Sequence, residues 1–196
     1  MIDPRWDSAM RAGWGRWPNT RFIEWVTRAP FAGTDHRGQV RVLELGCGAG
    51  AQLNFLSREG FEAFGVEGTQ AGVAASQGHA PDATVWHGDL TDWEPPHGMT
   101  FHCVVDICTL QHLTRMNATA VIQKALEWLE PGGYIFSMWS AGGSDAPREG
   151  VPAPWPITAT EIFDIFSDIP VRTGMESVIG LDGSNRQHWI IEGRKR

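Results

Sequence analysis

The sequence predicts an α/β fold, a mostly parallel sheet of seven strands between helical layers that ends in an antiparallel hairpin. Three observations predict it. From residue 40 onward, short apolar runs alternate with helical periodicity, as βαβ crossovers require. The first apolar run opens into a glycine-rich turn, Gly46-Cys47-Gly48-Ala49-Gly50. The last two, over 171–179 and 187–193, are joined through Leu181-Asp182-Gly183-Ser184 and lie close enough to pair antiparallel.

The elements follow in order. Pro18 suits the first turn of a helix, and Phe22, Trp25, Val26 and Ala29 share one apolar face at i, i+3, i+4, i+7, with Ala29-Pro30 as the stop. A short helix over 4–11 precedes it, ended by Gly13 and Gly15. Residues 1–39 thus read as a helical cover and 40–139 as the ligand-binding core of one domain spanning 1–196. Within the core, strands are expected over 40–45, 61–66, 83–87, 101–106 and 134–139. The helices between them run from Ala51 to the stop at Gly60, over 69–77, and from the cap Thr114 to Leu129, where Val121, Ala125 and Leu129 stack at fourfold spacing. Glu130-Pro131-Gly132-Gly133 is read as a clean stop. A Gly/Pro-rich loop over 140–157 leads to a helix opened by the Thr158/Glu161 capping box, and 158–193 holds that helix and the hairpin.

Composition narrows the function. With 23 acidic against 16 basic side chains, a net charge of -7 and pI ≈ 5.4, generic binding to duplex nucleic acid or anionic membrane is disfavoured. No stretch reaches the roughly 20 apolar residues of a membrane span, and the N-terminus lacks a signal-peptide pattern, so a cytoplasmic protein is expected. Cys47, Cys103 and Cys108 are odd in number and unpaired in spacing, which suggests neither a disulfide framework nor a metal site. Ten tryptophans stand against a single tyrosine, with Trp6, Trp14, Trp17 and Trp25 crowded near the start. The first thirty residues carry five arginines against three acids, a net +2, so the remainder carries -9.

The chemistry centres on Val42-Leu43-Glu44-Leu45-Gly46-Cys47-Gly48-Ala49-Gly50, a strand running into glycines before a helix, where backbone amides can approach a ligand. Gly46, Gly48 and Ala51 also satisfy the relaxed dinucleotide fingerprint, so the loop alone leaves a nicotinamide-dependent oxidoreductase open. Glu67 closes the second strand, where a carboxylate can accept both hydroxyls of a ribose, and Asp89 follows the third. With Glu44, three carboxylates around one pocket suit a cationic ligand bearing a ribose, an adenine and an ammonium, which favours S-adenosylmethionine over a pyrophosphate.

The motifs E-L-G-C-G-A-G, G-V-E-G, G-D-L, V-V-D-I-C-T-L-Q-H-L and L-E-P-G-G-Y-I-F resemble those of class I S-adenosylmethionine-dependent methyltransferases, over residues 40–140 by motif and to 193 by element order. The resemblance implies a Rossmann-like three-layer sandwich. It implies that the turn Gly46 to Gly50 passes under the methionine part, that Glu44 supports its ammonium, Glu67 the ribose, and Asp89 the adenine amine beside Leu90, and that Asp106 ends the fourth strand near the methyl group. The cofactor set it implies is Glu44, Gly46, Cys47, Gly48, Gly50, Glu67, Gly68, Asp89, Leu90, Asp106 and Ile107, with S-adenosylhomocysteine as product and no metal. One departure stands at Phe101-His102-Cys103-Val104, where many members carry F-D-x-V.

Catalysis is expected to draw on Asp106 and His112. An imidazole at His112 could take a proton from an acceptor, although the same residue also reads as packing at the start of the next helix. Trp14, Trp17 and Trp155 are candidates for an aromatic substrate enclosure, and Trp25 for the core. Since the core fills nearly the whole chain, a small-molecule acceptor is favoured, with methylation of nucleic acid or protein, or a non-catalytic binding module, as the alternatives.

Overall fold

The computed structural model describes residues 2–28, 30–31, 37–143, 152–179 and 185–196. One seven-stranded sheet runs through it in the order β3-β2-β1-β4-β5-β7-β6. The strands are β1 (Arg41–Leu45), β2 (Glu62–Glu67), β3 (Thr84–His87), β4 (Phe101–Ile107), β5 (Leu129–Gly143), β6 (Val171–Ile179) and β7 (Asn185–Arg194). β1 to β5 pair in parallel, while β7 runs antiparallel to both neighbours, β5 and β6. The expected hairpin is therefore present, with its second strand inserted against the parallel part; its turn over 181–184 lies outside the described residues.

Among the described residues, six α-helices accompany the sheet: α1 (Arg5–Arg11), α2 (Thr20–Arg28), α3 (Ala51–Arg58), α4 (Gln70–His79), α5 (Arg115–Trp128) and α6 (Ala159–Ile165). Caps explain where three of them begin. The side chains of Thr69, Thr114 and Thr158 accept from the amides of Gly72, Asn117 and Glu161, and the last closes a full capping box. α2 starts later than its proline suggests. Asn19 Oδ1 accepts from the Phe22 amide at 3.0 Å, so Asn19 caps the helix and Pro18 sits outside it.

Two apolar clusters fill the two faces of the sheet. One gathers Leu43, Val104, Ile135 and Trp139 with α5 and α6; the other gathers Val42, Val105 and Phe136 with α2 and α3. Thus α2 is a wall of the core as well as part of a cover. Its Trp25 ring lies 5.0 Å from that of Phe136, and Phe22 lies 5.7 Å from the same ring. Trp25→Ala is expected to lower stability by about 3–5 kcal/mol, the usual cost of emptying a buried aromatic site, as a fall in the urea midpoint.

The chain departs from expectation around β5. Leu129 leaves α5 in extended conformation and, being almost fully buried, pairs with Phe101 as the first residue of β5. The register then shifts between Phe101 and Cys103, which makes Glu130-Pro131-Gly132-Gly133 a bulge inside the strand rather than a stop before it. The Glu130 carboxylate pins this bulge by accepting from Arg41 and from the Thr100 hydroxyl. His102, the departure from F-D-x-V, joins the same cluster. Its Nδ1 accepts from the Arg41 amide at 3.1 Å, and its Nε2 lies 3.3 Å from Glu130, so the imidazole ties the foot of β4 to β1. β5 also runs on past Trp139 to Gly143 because β7 pairs along it as far as Gly143 opposite Arg186. The expected loop therefore starts later, and 144–151 lie outside the described residues.

Candidate active site

The carboxyl ends of β1 to β4 open on one side of the sheet, where the strand order reverses between β1 and β4, the usual place for a ligand crevice. A cavity of about 800 Å³ occupies it. The glycine turn after β1 forms its floor. Gly46 has φ 65°, and a Cβ there would lie 2.3 Å from Thr109 Cγ2, so the backbone of this turn and the loop after β4 meet at a distance only glycine permits. Gly50 also has a positive φ, but its missing side chain makes room for Ser76 of α4 and not for a ligand.

Of the residues expected at the site, Glu44, Gly46, Cys47, Gly48, Glu67, Gly68, Asp89, Leu90, Ile107, His112, Trp14 and Trp17 line the cavity. Three do not, and each has a local reason. Gly50 faces α4, as described. Asp106 is fully buried and accepts from the Thr109 and Leu110 amides and the Ser137 hydroxyl, so it shapes the loop after β4 from behind the cavity lining. Burial pushes its carboxyl up to about 6 against those three bonds. Trp155 packs 5.3 Å from Trp139, donates to the Leu113 carbonyl, and carries the Arg115 guanidinium 5.1 Å above its ring; Pro152 lines the cavity in its place.

Three of the lining carboxylates, Glu67, Asp89 and Glu44, differ in what they have left to offer. Glu67 Oε1 accepts from the amide and hydroxyl of Thr69, both at 2.8 Å, and Oε2 accepts from the Gly48 amide at 3.0 Å. A carboxylate has about four acceptor positions, so one remains on Oε2 for a hydroxyl without breaking a bond. Asp89 Oδ1 accepts from the Thr91 amide and hydroxyl at 3.1 and 2.9 Å, an Asx turn that fixes the carboxylate at the cavity edge. Glu44 is 1% exposed; Gln52 donates to its Oε1 at 2.7 Å, and Oε2 has no hydrogen-bond partner. Burial drives the Glu44 carboxyl up to about 8, opposed by Gln52 and reinforced by the negative charges of Glu67 and Asp106. An orphaned buried carboxyl oxygen in a ligand cavity is a place for a cation or a donor.

The N-terminal segment closes the cavity. Asp7 Oδ1 accepts from the Ala71 amide at 3.0 Å, docking α1 on the N-terminus of α4. This brings Ile2 over Gly68 and Met10 over Gly48. Trp6 stands 4.7 Å from the His112 ring, edge to face, and 5.6 Å from Trp14. Burial holds the His112 imidazole down to about 4. Its ring is therefore neutral near pH 7. Trp6, Met10, Gln52, Gln111 and Asn117 also line the cavity. Trp6 and Met10 could have been found in the sequence, being one turn apart on the predicted helix; Gln111 and Asn117 carry no such signal.

Residues 42–133 match a family of methyltransferase domains. The matched stretch, just under half of this chain, is similar to methyltransferase domains. The ubiquinone biosynthesis O-methyltransferase of Chelativorans sp. is 24% identical to it over 112 residues, which make up 56% of this chain and 43% of that relative, so the match spans less than half of the relative's length. Among solved structures, an S-adenosylmethionine-dependent methyltransferase from Anabaena variabilis superposes with a TM-score of 0.70 at 13% identity, covering 98% of this chain and 92% of that one. Magnesium protoporphyrin IX methyltransferase from Synechocystis, solved with bound S-adenosylhomocysteine, gives 0.65 at 18% identity over 79% of this chain and 73% of that one. At such identities the likeness is one of fold. Within the matched stretch, the glycine turn, the carboxylates of β1 and β2 and the Asp89 turn lie on one cavity. Its donor set suits the cofactor of the family: an orphaned carboxyl for an ammonium, an acceptor for a ribose hydroxyl, and no lysine or arginine for a pyrophosphate among the described lining residues. No helix among the described residues is long and apolar enough to cross a membrane.

Proposed function

We propose that this protein transfers a methyl group from S-adenosylmethionine to an oxygen, nitrogen or sulfur atom of a small-molecule acceptor. The observation that carries the reading is Glu44, a buried carboxyl with one unpartnered oxygen on the same cavity as the glycine turn and Glu67. On this reading Glu44 receives the ammonium of the methionine part, Gly46, Cys47 and Gly48 lie under it, Glu67 and Gly68 face the ribose, and Asp89, Leu90 and Ile107 border the adenine. When bound, the cofactor supplies a methyl group already activated by its positive sulfur. What the chain must add is alignment and exclusion of water, and Ile2 with Trp6 and Met10 of α1 roofs the cavity. The neutral ring of His112 forms one wall of the acceptor end and, being uncharged near pH 7, leaves the approach of a sulfonium unopposed. A small acceptor suits a cavity of this volume, most of whose walls come from within one compact stretch of sheet and from α1.

The test pairs binding with turnover. Calorimetry is expected to detect both S-adenosylmethionine and S-adenosylhomocysteine and no NAD, and a metabolite panel is expected to yield S-adenosylhomocysteine release with at least one acceptor. Tight NAD binding without response to the sulfur ligands overturns the reading.

A further inference from the structure

Gln52 is a polar side chain buried where an apolar one would be usual. It stands in the first turn of α3 between the buried Ala51 and Leu53, and is itself 9% exposed. Burying an amide costs stability unless both its ends are paired. Here both are. Gln52 Oε1 accepts from the backbone amide of Asn19 at 3.3 Å, and Gln52 Nε2 donates to Glu44 Oε1 at 2.7 Å. All three residues line the cavity.

The direction of these bonds is fixed by chemistry. A backbone amide can only donate, so the oxygen of Gln52 must face Asn19 and its NH2 must face Glu44. Glu44 Oε1 is thereby an acceptor, and the proton of the neutral carboxyl is left to Oε2, the oxygen without a partner. Asn19 is held in turn, because its Oδ1 caps α2 by accepting from the Phe22 amide, and Phe22 and Trp25 of that helix stand in the core. The orientation of a carboxyl at the end of β1 is thus set from the start of α2, through one side chain. Gln52 also acts on the charge of Glu44. It draws the carboxyl down, against burial and against the negative charges of Glu67 on β2 and Asp106 on β4. The Cys47 thiol of the glycine turn is the further titratable neighbour, pushed up by burial and by Glu44.

We propose that Gln52 is the positioning residue of this site: oriented by the Asn19 amide, it occupies Oε1 of Glu44 and so presents Oε2 to the ammonium of the cofactor. The proposal rests on the methyltransferase reading above, since it takes that ammonium as the partner of Glu44.

Gln52→Met keeps the length of the side chain and removes both polar ends. In the free variant, the midpoint at which the Glu44 carboxyl-carbon NMR signal titrates is expected to rise by about one pH unit, the loss of one donor to a charged group. S-adenosylhomocysteine is expected to bind about tenfold more weakly at pH 7. Affinity for 5′-methylthioadenosine, which keeps the nucleoside and the sulfur but lacks the ammonium, is expected to stay unchanged. An unmoved midpoint, or an equal loss for both ligands, overturns the proposal and leaves Gln52 a structural residue. A thermal scan establishes that the variant is folded, and the unaltered protein supplies a measurement that needs no variant. There the side-chain NH2 signal of Gln52 is expected to shift with the same midpoint as Glu44, and a signal indifferent to that titration overturns the proposal. Failure of S-adenosylhomocysteine to bind the unaltered protein overturns the underlying reading instead, so the two are told apart.

Discussion

Binding of S-adenosylmethionine at pH 7 is expected to release a proton from Glu44. In the free protein this carboxyl is pushed up to about 8 by burial, so near pH 7 it is mostly neutral. The ammonium of the cofactor, arriving at the unpartnered Oε2, favours the ionised form and returns the pKa toward the ordinary range. Calorimetry at pH 7 in buffers of different ionisation enthalpy is expected to give heats that vary with the buffer, with a slope approaching one proton that fades above pH 8 to 9. Glu44→Gln is expected to remove that slope and weaken binding; buffer-independent heats for the unaltered protein would exclude the assignment. Stability follows the same linkage. The folded pKa lies above the unfolded one, so the contribution of Glu44 is fully present below about pH 4.5 and is lost as pH rises through 8. Thermal scans of the free protein over this window are expected to fall with pH, and saturating cofactor is expected to flatten the fall.

Glu67→Ala is expected to weaken S-adenosylmethionine and S-adenosylhomocysteine alike by about 100-fold. One part of the loss is the hydroxyl contact, since a hydrogen bond to a charged group contributes roughly 1.5–3 kcal/mol. The other part comes from the bonds that hold the site: without this carboxylate the Gly48 amide and the Thr69 amide and hydroxyl lose their acceptor. The equal effect on both ligands separates this role from catalysis, because they share the ribose and differ at the sulfur. Equilibrium dialysis against both, with a thermal scan to establish that the variant is folded, checks it. Unchanged affinities in a folded variant would move the ribose elsewhere in the cavity.

The parallel part of the fold was legible because its central strands β1 and β4 are buried on both faces and so read as mainly apolar runs between helical segments, while the edge strand β3, with no buried residue, is marked by its Thr-Val-Trp composition. Val42, Leu43 and Leu45 of β1 are fully buried, and the glycines that follow are required by backbone approach. The boundaries that failed depend on partners remote in the chain. Leu129 joins β5 because Phe101 lies beside it, and β5 continues to Gly143 because β7 runs along it; neither neighbour is local. The same holds for side-chain direction. Asp106 and Trp155 stand near the expected site in the sequence, yet Ser137 and Trp139 of β5 draw them into the interior. Trp6 was the opposite case, a residue of an undistinguished short helix that the Asp7–Ala71 contact brings to the wall of the cavity.

That docking of α1 on α4 divides the cavity by origin. The lining that follows β1, β2 and β4 is built from strand termini and backbone amides that the sheet cannot alter without losing its own register. The rest of the lining includes Trp6, Trp14 and Trp17 from the first seventeen residues, of which Trp17 is 89% exposed. Sequence drift can therefore reshape this part of the lining more easily than the strand ends, because a substitution at Trp17 encounters no core to disrupt. The N-terminal segment is the part of this molecule in which new chemistry would be acquired at least cost to the fold.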